Sequence, residues 1–305
     1  MSHDRGLSRP PDVNSDEDLA TEFAAIRPRL VGVAYGLLGS VDEADDVVQD
    51  AWLRLVRADR DAIQDVTGWL VVTVSRLALD VLRSARVRRE QYVGPWLPEP
   101  VVTDGGAAGG DPAERVTLDE SMNMAMLVVL ESLSPAERTA FVLHDVFGLS
   151  FAEVGQAVGR TPAACRQLAA RARKHVSARA PRFDVDAAEH RRVVAAFAEA
   201  SAGRDLPALL ALLDPDVVMR GDGGGIVSSA RRPVLGADKV ARFMLGVAER
   251  FGAADDLRHS TVNGWPGLLR FRRGELVGVL GLTVAGGRIT EIDVVMNPEK
   301  LRRLK

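Results

Sequence analysis

LSPAERTAFVLHDVFGLSFAEVGQAVGRTPAACRQLAARARKHV, residues 133–176, contains three helix starts in succession. Ser134-Pro135-Ala136-Glu137 has the layout of a capping box: serine at the cap, proline at the first helical position, glutamate at the third. That helix is expected to run to about Phe147 and to stop at Gly148. Ser150 opens the short stretch FAEVGQAVG, and Thr161-Pro162 opens the next helix after Gly159. A capped helix, a tight turn and a second capped helix form a helix-turn-helix. From Arg160 to Arg182 there are seven basic residues and no acidic one.

A helix-turn-helix lays the N-terminal part of its second helix in the DNA major groove. Here that end offers Thr161, Ala163, Ala164, Arg166 and Gln167. Arginine can bond guanine bidentately and glutamine adenine. Arg171, Arg173 and Lys174 lie further along and suit phosphates. Cys165 and Leu168, three apart, are expected to face the core. The competing reading is an ordinary basic surface helix, and the acid-free run after a capped turn argues against it.

The 305 residues suit two or three domains, with 47% hydrophobic and 27% charged residues. A net charge of −3 does not advertise nucleic acid, but it averages over strongly segregated segments. The single cysteine excludes an internal disulfide and a cysteine-rich zinc site, and no cofactor is expected. The polar N-terminus has no apolar signal core, and no apolar run reaches the roughly 20 residues of a membrane span. The cytoplasm, with no membrane partner, is the expected location.

Upstream, residues 14–93 are expected to form an all-helical unit. Glu22, Ile26, Leu30, Val33 and Leu37 recur at helical spacing up to Gly39-Ser40. The next helix buries Ala44, Val47, Val48, Ala51 and Leu55, and its other face holds Asp42, Glu43, Asp45, Asp46 and Asp50. Such a face cannot bind DNA; it is either solvated or docks a basic protein partner. A third helix runs from about Thr67 and ends among Arg83, Arg86, Arg88 and Arg89, with Arg76, Thr73 and Trp69 earlier along it. Aromatic and basic residues together suit melted DNA, where bases stack and phosphates are neutralised. Trp69 taken alone reads as core.

Residues 94–113 are expected to be a linker, rich in Pro and Gly. Trp96 and Leu97 within it have no role in a plain spacer, so they are expected to dock. The helix-turn-helix unit is expected over 114–182. The last segment, 186–305, changes to mixed character: two helices, a strand near Val217–Arg220, the run GDGGG, a helix near 236–251, and three strand-like runs, STVNGWPGLLRFRR, ELVGVLGLTVA and RITEIDVVM. An α+β domain with a curved antiparallel sheet is expected.

DEADDVVQDAWLRLVR (42–57), TGWLVVTVSRLALDVLRSARVRR (67–89) and the quoted stretch at 133–176 resemble regions 2 and 4 of the sigma-70 superfamily, extracytoplasmic-function group. YVGPWLPEP (92–100), DGGG (222–225) and NPEKL (297–301) resemble the subgroup carrying a fused SnoaL-like domain. This chain has Ile226 where a lysine is frequent in the subgroup and Glu299 where an aspartate is frequent. The resemblance implies that region 2 binds the RNA polymerase clamp through Asp45, Asp46, Gln49, Asp50 and Trp52. It implies opening of the −10 element by Trp69, Thr73, Arg76, Arg83, Arg86 and Arg88. It implies that region 4 reads the −35 element through Thr161, Ala163, Arg166, Gln167, Arg171 and Lys174 and touches the polymerase flap. Trp96, Leu97, Asp222, Gly223, Gly224, Gly225, Asn297, Pro298 and Leu301 are then the expected regulatory contacts between linker and third domain.

Three other readings stay open at this level. One is a helix-turn-helix regulator that acts without polymerase. The second is a switch whose third domain holds a small-molecule ligand. The third is an enzyme built on Asp222, His259, Glu291 and Asp293.

Overall fold

The computed structural model describes residues 13–103, 122–179, 186–251 and 255–304. The expected boundaries at 104–121 and 180–185, and the distal half of the linker, lie outside them.

Three helices open the chain: α1 (Val13–Leu38), α2 (Val41–Arg57) and α3 (Val66–Glu90). Ser40 caps α2 by accepting from Glu43 N. After the linker come α4 (Met124–Leu130), α5 (Pro135–Phe141), α6 (Phe151–Val158) and α7 (Pro162–Arg179). Both expected capping boxes form, at Ser134 and Ser150. Cys165 and Leu168 are buried. The apolar stripes of α1–α3 and α5–α7 merge into one continuous core that runs from Leu30, Val33 and Leu70 to Val154, Leu168 and Val176. The two helical units therefore pack directly on each other, α3 against α5 and α6.

The rest is α+β: α8 (Ala187–Ala202), α9 (Leu206–Leu212), β1 (Leu213–Asp222), β2 (Val234–Leu235), α10 (Ala237–Phe251), β3 (Asp255–Val262), β4 (Trp265–Arg272), β5 (Glu275–Ala285) and β6 (Arg288–Val295). The sheet order is β2-β1-β6-β5-β4-β3. The structure corrects the sequence reading in two places. STVNGWPGLLRFRR is two strands, because Asn263-Gly264 makes a tight β3–β4 hairpin. The sheet is not wholly antiparallel, since β1 pairs with β6 in parallel. Register shifts in β1, β4 and β5 bend the strands into the expected curve.

Strand alternation gives this sheet two apolar faces. Leu268, Leu280, Leu282, Ile292 and Val294 face α8, α9 and α10. Leu269, Leu276, Val279 and Val295 face the other way, where they meet Leu97 of the linker, Met124 of α4 and Leu301 of the tail. On that outer side Arg220 bonds both Glu291 and Asp293 at 3.0 Å. Asp293 is 1% exposed. Burial pushes its carboxyl up to about 6 against the pull of Arg220, and Glu291 adds to the rise. An unfolded aspartate sits near 3.9, so the folded chain holds more protons between about pH 4 and 6 and gains stability as pH falls through that window. Thermal melts of wild type and Asp293→Asn at pH 7 and pH 5 check this. The wild type is expected to gain on the variant at the lower pH, and a constant difference would contradict it. No helix among the described residues is long and apolar enough to cross a membrane.

Candidate interdomain clamp and nucleic-acid interface

Two backbone features bring the linker to the site. Gly39 closes α1 with φ +69, and a Cβ there would meet the Trp96 ring at 3.0 Å, so only glycine lets the indole lie against the helix end. Two cations lie against the Trp96 ring, the Arg89 guanidinium 3.5 Å and Lys300 Nζ 4.0 Å from its centre. The next residue, Leu97, is fully buried in the outer core of the sheet. The chain then continues along β3: Asn263 N donates to Val101 O at 2.7 Å, and Thr103 N to Thr261 O at 3.1 Å. The linker thus adds a short antiparallel rung to the exposed edge of the sheet.

Asp222 sits at the centre of these contacts. It is fully buried, and its carboxylate accepts from Tyr92 Oη at 2.6 Å, Leu97 N at 2.9 Å, Gly224 N at 3.0 Å and Lys300 Nζ at 2.7 Å. Lys300 also donates to the Leu97 carbonyl. Burial lowers the Lys300 pKa, and Asp222 opposes that shift. Tyr92 is held well above its usual range by burial and by Asp222, so its hydroxyl stays a donor. Asn297 donates to Tyr92 Oη at 2.9 Å. A Cβ at Gly224, where φ is +65, would fall 2.5 Å from the Asn297 side chain. A Cβ at Gly223 would be blocked by the Val227 carbonyl, and Gly225 lies beside Val93. DGGG, WLP and NPEKL, far apart in sequence, are brought to one place. Pro298 is half-buried there, and Leu301 is buried.

Glu99 is the linker's second anchor, one that sequence reasoning missed. It is buried and accepts from Ser40 Oγ and Val41 N at the N-terminus of α2, where the helix dipole favours negative charge. Burial nevertheless raises its pKa, and Asp42 adds to the rise. Tyr35 donates to the Glu99 carbonyl at 2.7 Å and accepts from Asn263 Nδ2 at 2.7 Å. The linker is therefore tied to α1, α2 and the β3–β4 turn together.

A third set of bonds joins the two helical units. Glu131 accepts from Arg89 of α3 and from the buried Arg138 of α5. Arg89 also reaches the Leu38 carbonyl at 2.5 Å, and Arg138 reaches Gly36 O. Arg89, read in the sequence as one of a basic DNA-facing cluster, is turned inward here.

A Sigma-70 region 2 model matches residues 23–88, and a Sigma-70, region 4 model matches residues 123–176. The chain is 44% identical over 294 residues to the ECF RNA polymerase sigma factor SigJ of Mycobacterium tuberculosis, covering 92% of each. It belongs to the extracytoplasmic-function sigma factors. The probable ECF sigma factor SigI of the same species is 38% identical over 295 residues, covering 96% of this chain and 98% of the relative. The crystal structure of the M. tuberculosis extracytoplasmic function sigma factor SigJ matches with a TM-score of 0.77 at 40% identity, covering 94% of this chain and 100% of that one.

On this sigma factor the expected −35 residues form an open surface. Thr161, Ala163, Arg166, Gln167, Arg171 and Lys174 are all exposed along α7. Thr161 caps the helix through Ala164 N. Arg173 differs, being paired with Asp145 at 2.8 Å. The expected −10 residues are placed differently. Thr73 is buried, Trp69 is half-buried against the common core, and Arg76, although exposed, donates through Nε to Gln156 O of α6 at 2.9 Å. Arg83 is exposed and paired with Asp80. The side chains of Arg86 and Arg88 lie outside the described residues.

The acidic face of α2 divides in two. Asp46, Gln49 and Asp50 are exposed, beside Leu53 and Val56, which are 42% and 48% exposed. Sequence reasoning missed these two leucine and valine side chains, which sit on the polar side of the stripe. Trp52 packs on Phe23 with ring centres 4.6 Å apart. Asp42 and Asp45 are instead occupied by the tail: Arg303 bonds them at 2.5 and 2.6 Å, and Arg302 reaches Asp42 at 3.1 Å. The four candidate acid–base residues do not converge. Asp222 is bound to the linker, Glu291 and Asp293 pair with Arg220 on the outer face, and His259 lies at a cavity on the opposite face.

Proposed function

We propose that this chain acts in the cytoplasm as a dissociable promoter-recognition subunit of RNA polymerase, that it reads −10 and −35 elements, and that its C-terminal domain holds the DNA-facing modules closed. The domain limits follow the sequence reading: 14–93 for region 2, 94–113 for the linker, 114–182 for region 4 and 186–305 for the SnoaL-like domain. The carrying observation is the contact of Arg76 with Gln156, which lays the −10 helix against the −35 module. Elements centred roughly 25 base pairs apart, at about 3.4 Å per pair, are about 85 Å apart on duplex DNA. A compact body of two such helical units spans only about 40 Å. The closed form therefore cannot hold both elements, and promoter binding requires the modules to separate.

The open stripe of Asp46, Gln49, Asp50, Leu53 and Val56 suits a polymerase surface that is basic at its rim and apolar at its centre. Run-off transcription with core polymerase on a candidate promoter tests the reading, and it fails if the chain binds duplex sites alone without supporting initiation. On such a promoter Arg166→Ala is expected to cost about 1–3 kcal/mol and relax preference at one base position. Lys174→Ala should weaken all sequences alike and reduce the salt slope by about one. Indistinguishable behaviour of the two variants would reassign Arg166 to a phosphate.

A further inference from the structure

The inner face of the C-terminal sheet carries a cavity of about 770 Å3, walled by the strands, α8 and α10. That volume is in the range of small-molecule sites. Three methionines, Met219, Met244 and Met296, line it together with Phe243, Leu257 and Leu280. Methionine is flexible and fits irregular apolar shapes. Phe243, Met244 and Leu257 keep accessible surface although they pack on the core of this domain, so apolar surface is left for a ligand to cover.

The charged groups at the wall are engaged or hydrated. Arg242 is paired with Asp238 at 2.8 Å and Asp256 with Arg258 at 2.8 Å, all four exposed. Arg270 and Arg272 are held by other groups of the protein, Met296 Sδ among those of Arg270. Glu199 and His259 are exposed to water. The Ser229 hydroxyl donates to the Gly221 carbonyl at 2.8 Å. An ionic ligand entering against the apolar wall gives up hydration, whereas a neutral one has little to lose.

Three segments of the wall run directly into the clamp around Asp222. Gly221 lies at the cavity, and Asp222 follows it. Residues 227–230 line the cavity, and their loop begins at Gly223, whose carbonyl accepts from Val227 N at 2.9 Å. Met296 lines the cavity while its backbone N donates to Asp222 O at 2.7 Å, and the next residue is Asn297. A Cβ at Gly221 would stand 3.3 Å from Ser229 Oγ and 3.7 Å from Met296 Cε, so the three segments lie against one another there.

We infer that this cavity binds a neutral apolar small molecule and that the bound molecule holds the linker docked. The wall that meets the ligand is shaped by the segments that grip Tyr92 and Leu97, so the ligand binds the docked form better than the released one. By linkage, releasing the linker weakens the ligand by the same factor. Both effects are read as binding and as cleavage, so they stand or fall separately from whether the closed form transcribes.

The test uses the full chain and the neutral dye Nile red, displaced in turn by adamantanol, adamantanecarboxylate and adamantylammonium, cages of one shape that differ in charge. Saturable dye binding is expected, with adamantanol displacing the dye at least tenfold more effectively than either ion. Val247→Trp and Leu257→Trp, at two half-buried wall positions, should each weaken adamantanol tenfold or more by filling the cavity. Circular dichroism melts identify any variant that fails to fold, and the neutral, acid and cation series on the wild type stands without them. Saturating adamantanol should slow limited proteolysis between residues 94 and 103 about tenfold, and Asp222→Ala should weaken adamantanol about tenfold. Absence of saturable binding, or displacement by either ion as effective as by adamantanol, would overturn the site. Unchanged cleavage with adamantanol bound, or unchanged adamantanol affinity in Asp222→Ala, would overturn its link to the linker.

Discussion

Asp222→Ala is expected to release the linker. The substitution removes a carboxylate that accepts four hydrogen bonds and leaves Lys300, only 12% exposed at its side chain, without its buried counter-charge. Breaking a buried ion pair by deleting one partner costs about 3–5 kcal/mol. The loss falls on the docking of linker to sheet, because Leu97 is on the linker, Tyr92 lies two residues before it and Lys300 is on the tail. Limited proteolysis between residues 94 and 103 should therefore accelerate by about two orders of magnitude or more, since every 1.4 kcal/mol is a factor of ten. Adding Lys300→Met to the variant removes the orphaned charge and should recover part of the loss, as expected for two groups in direct contact. Unchanged cleavage in Asp222→Ala would mean that Leu97 burial alone holds the linker.

Ending the chain after Met296 is the second large perturbation. It deletes Asn297 from Tyr92, Lys300 from Asp222 and Trp96, and Leu301 from the core around Leu97. It also uncovers Asp42, which Arg302 and Arg303 occupy, and leaves Asp45 paired with Arg27 alone. Exposed ion pairs such as these contribute only about 0.2–1 kcal/mol each. The buried part of the tail therefore governs closure, and the arginines govern access to the acidic face of α2. The truncated chain is expected to bind core polymerase about tenfold more tightly than the full chain. Arg302→Ala with Arg303→Ala should give a smaller gain that shrinks as salt rises. Equal core affinity for all three proteins, measured by fluorescence anisotropy, would remove the tail from the account.

Features written locally in the chain were legible. Ser134 and Ser150 announce capped helices within four residues, and the capping boxes form. Cys165 and Leu168 follow from helical spacing alone. Trp96 and Leu97 stood out because apolar side chains in a Pro-rich spacer need a place to go, and burying one is worth about 1.5–3 kcal/mol. The Asn263-Gly264 turn was also local, but it was passed over inside a run read as one strand. Pairings between distant segments were not legible. Arg89 belongs to a basic run, and nothing near it reveals that Glu131, 42 residues later, will turn it inward. Glu99 looks like a surface charge until the N-terminus of α2 is set against it. The parallel β1–β6 pair requires a crossover through α10 and four strands, which no short-range pattern records. Arg76 was read from the chemistry of its own helix, whereas its contact with Gln156 depends on where a second module packs.

In the proposed closed form, the second helical unit must leave its place against the sheet and α3 before both promoter elements can be held. Met124 Cβ lies 3.3 Å from where a Cβ on Gly281 would stand, close to the spacing of a disulfide. A Met124→Cys, Gly281→Cys chain, with Cys165 buried and unreactive, can therefore be locked by oxidation and freed by reductant. Run-off transcription with core polymerase is then compared for the oxidised and reduced forms of this one protein. The oxidised form is expected to be inactive, and reductant is expected to restore transcription. Equal transcription from the two forms, with the disulfide verified as intact, would contradict it.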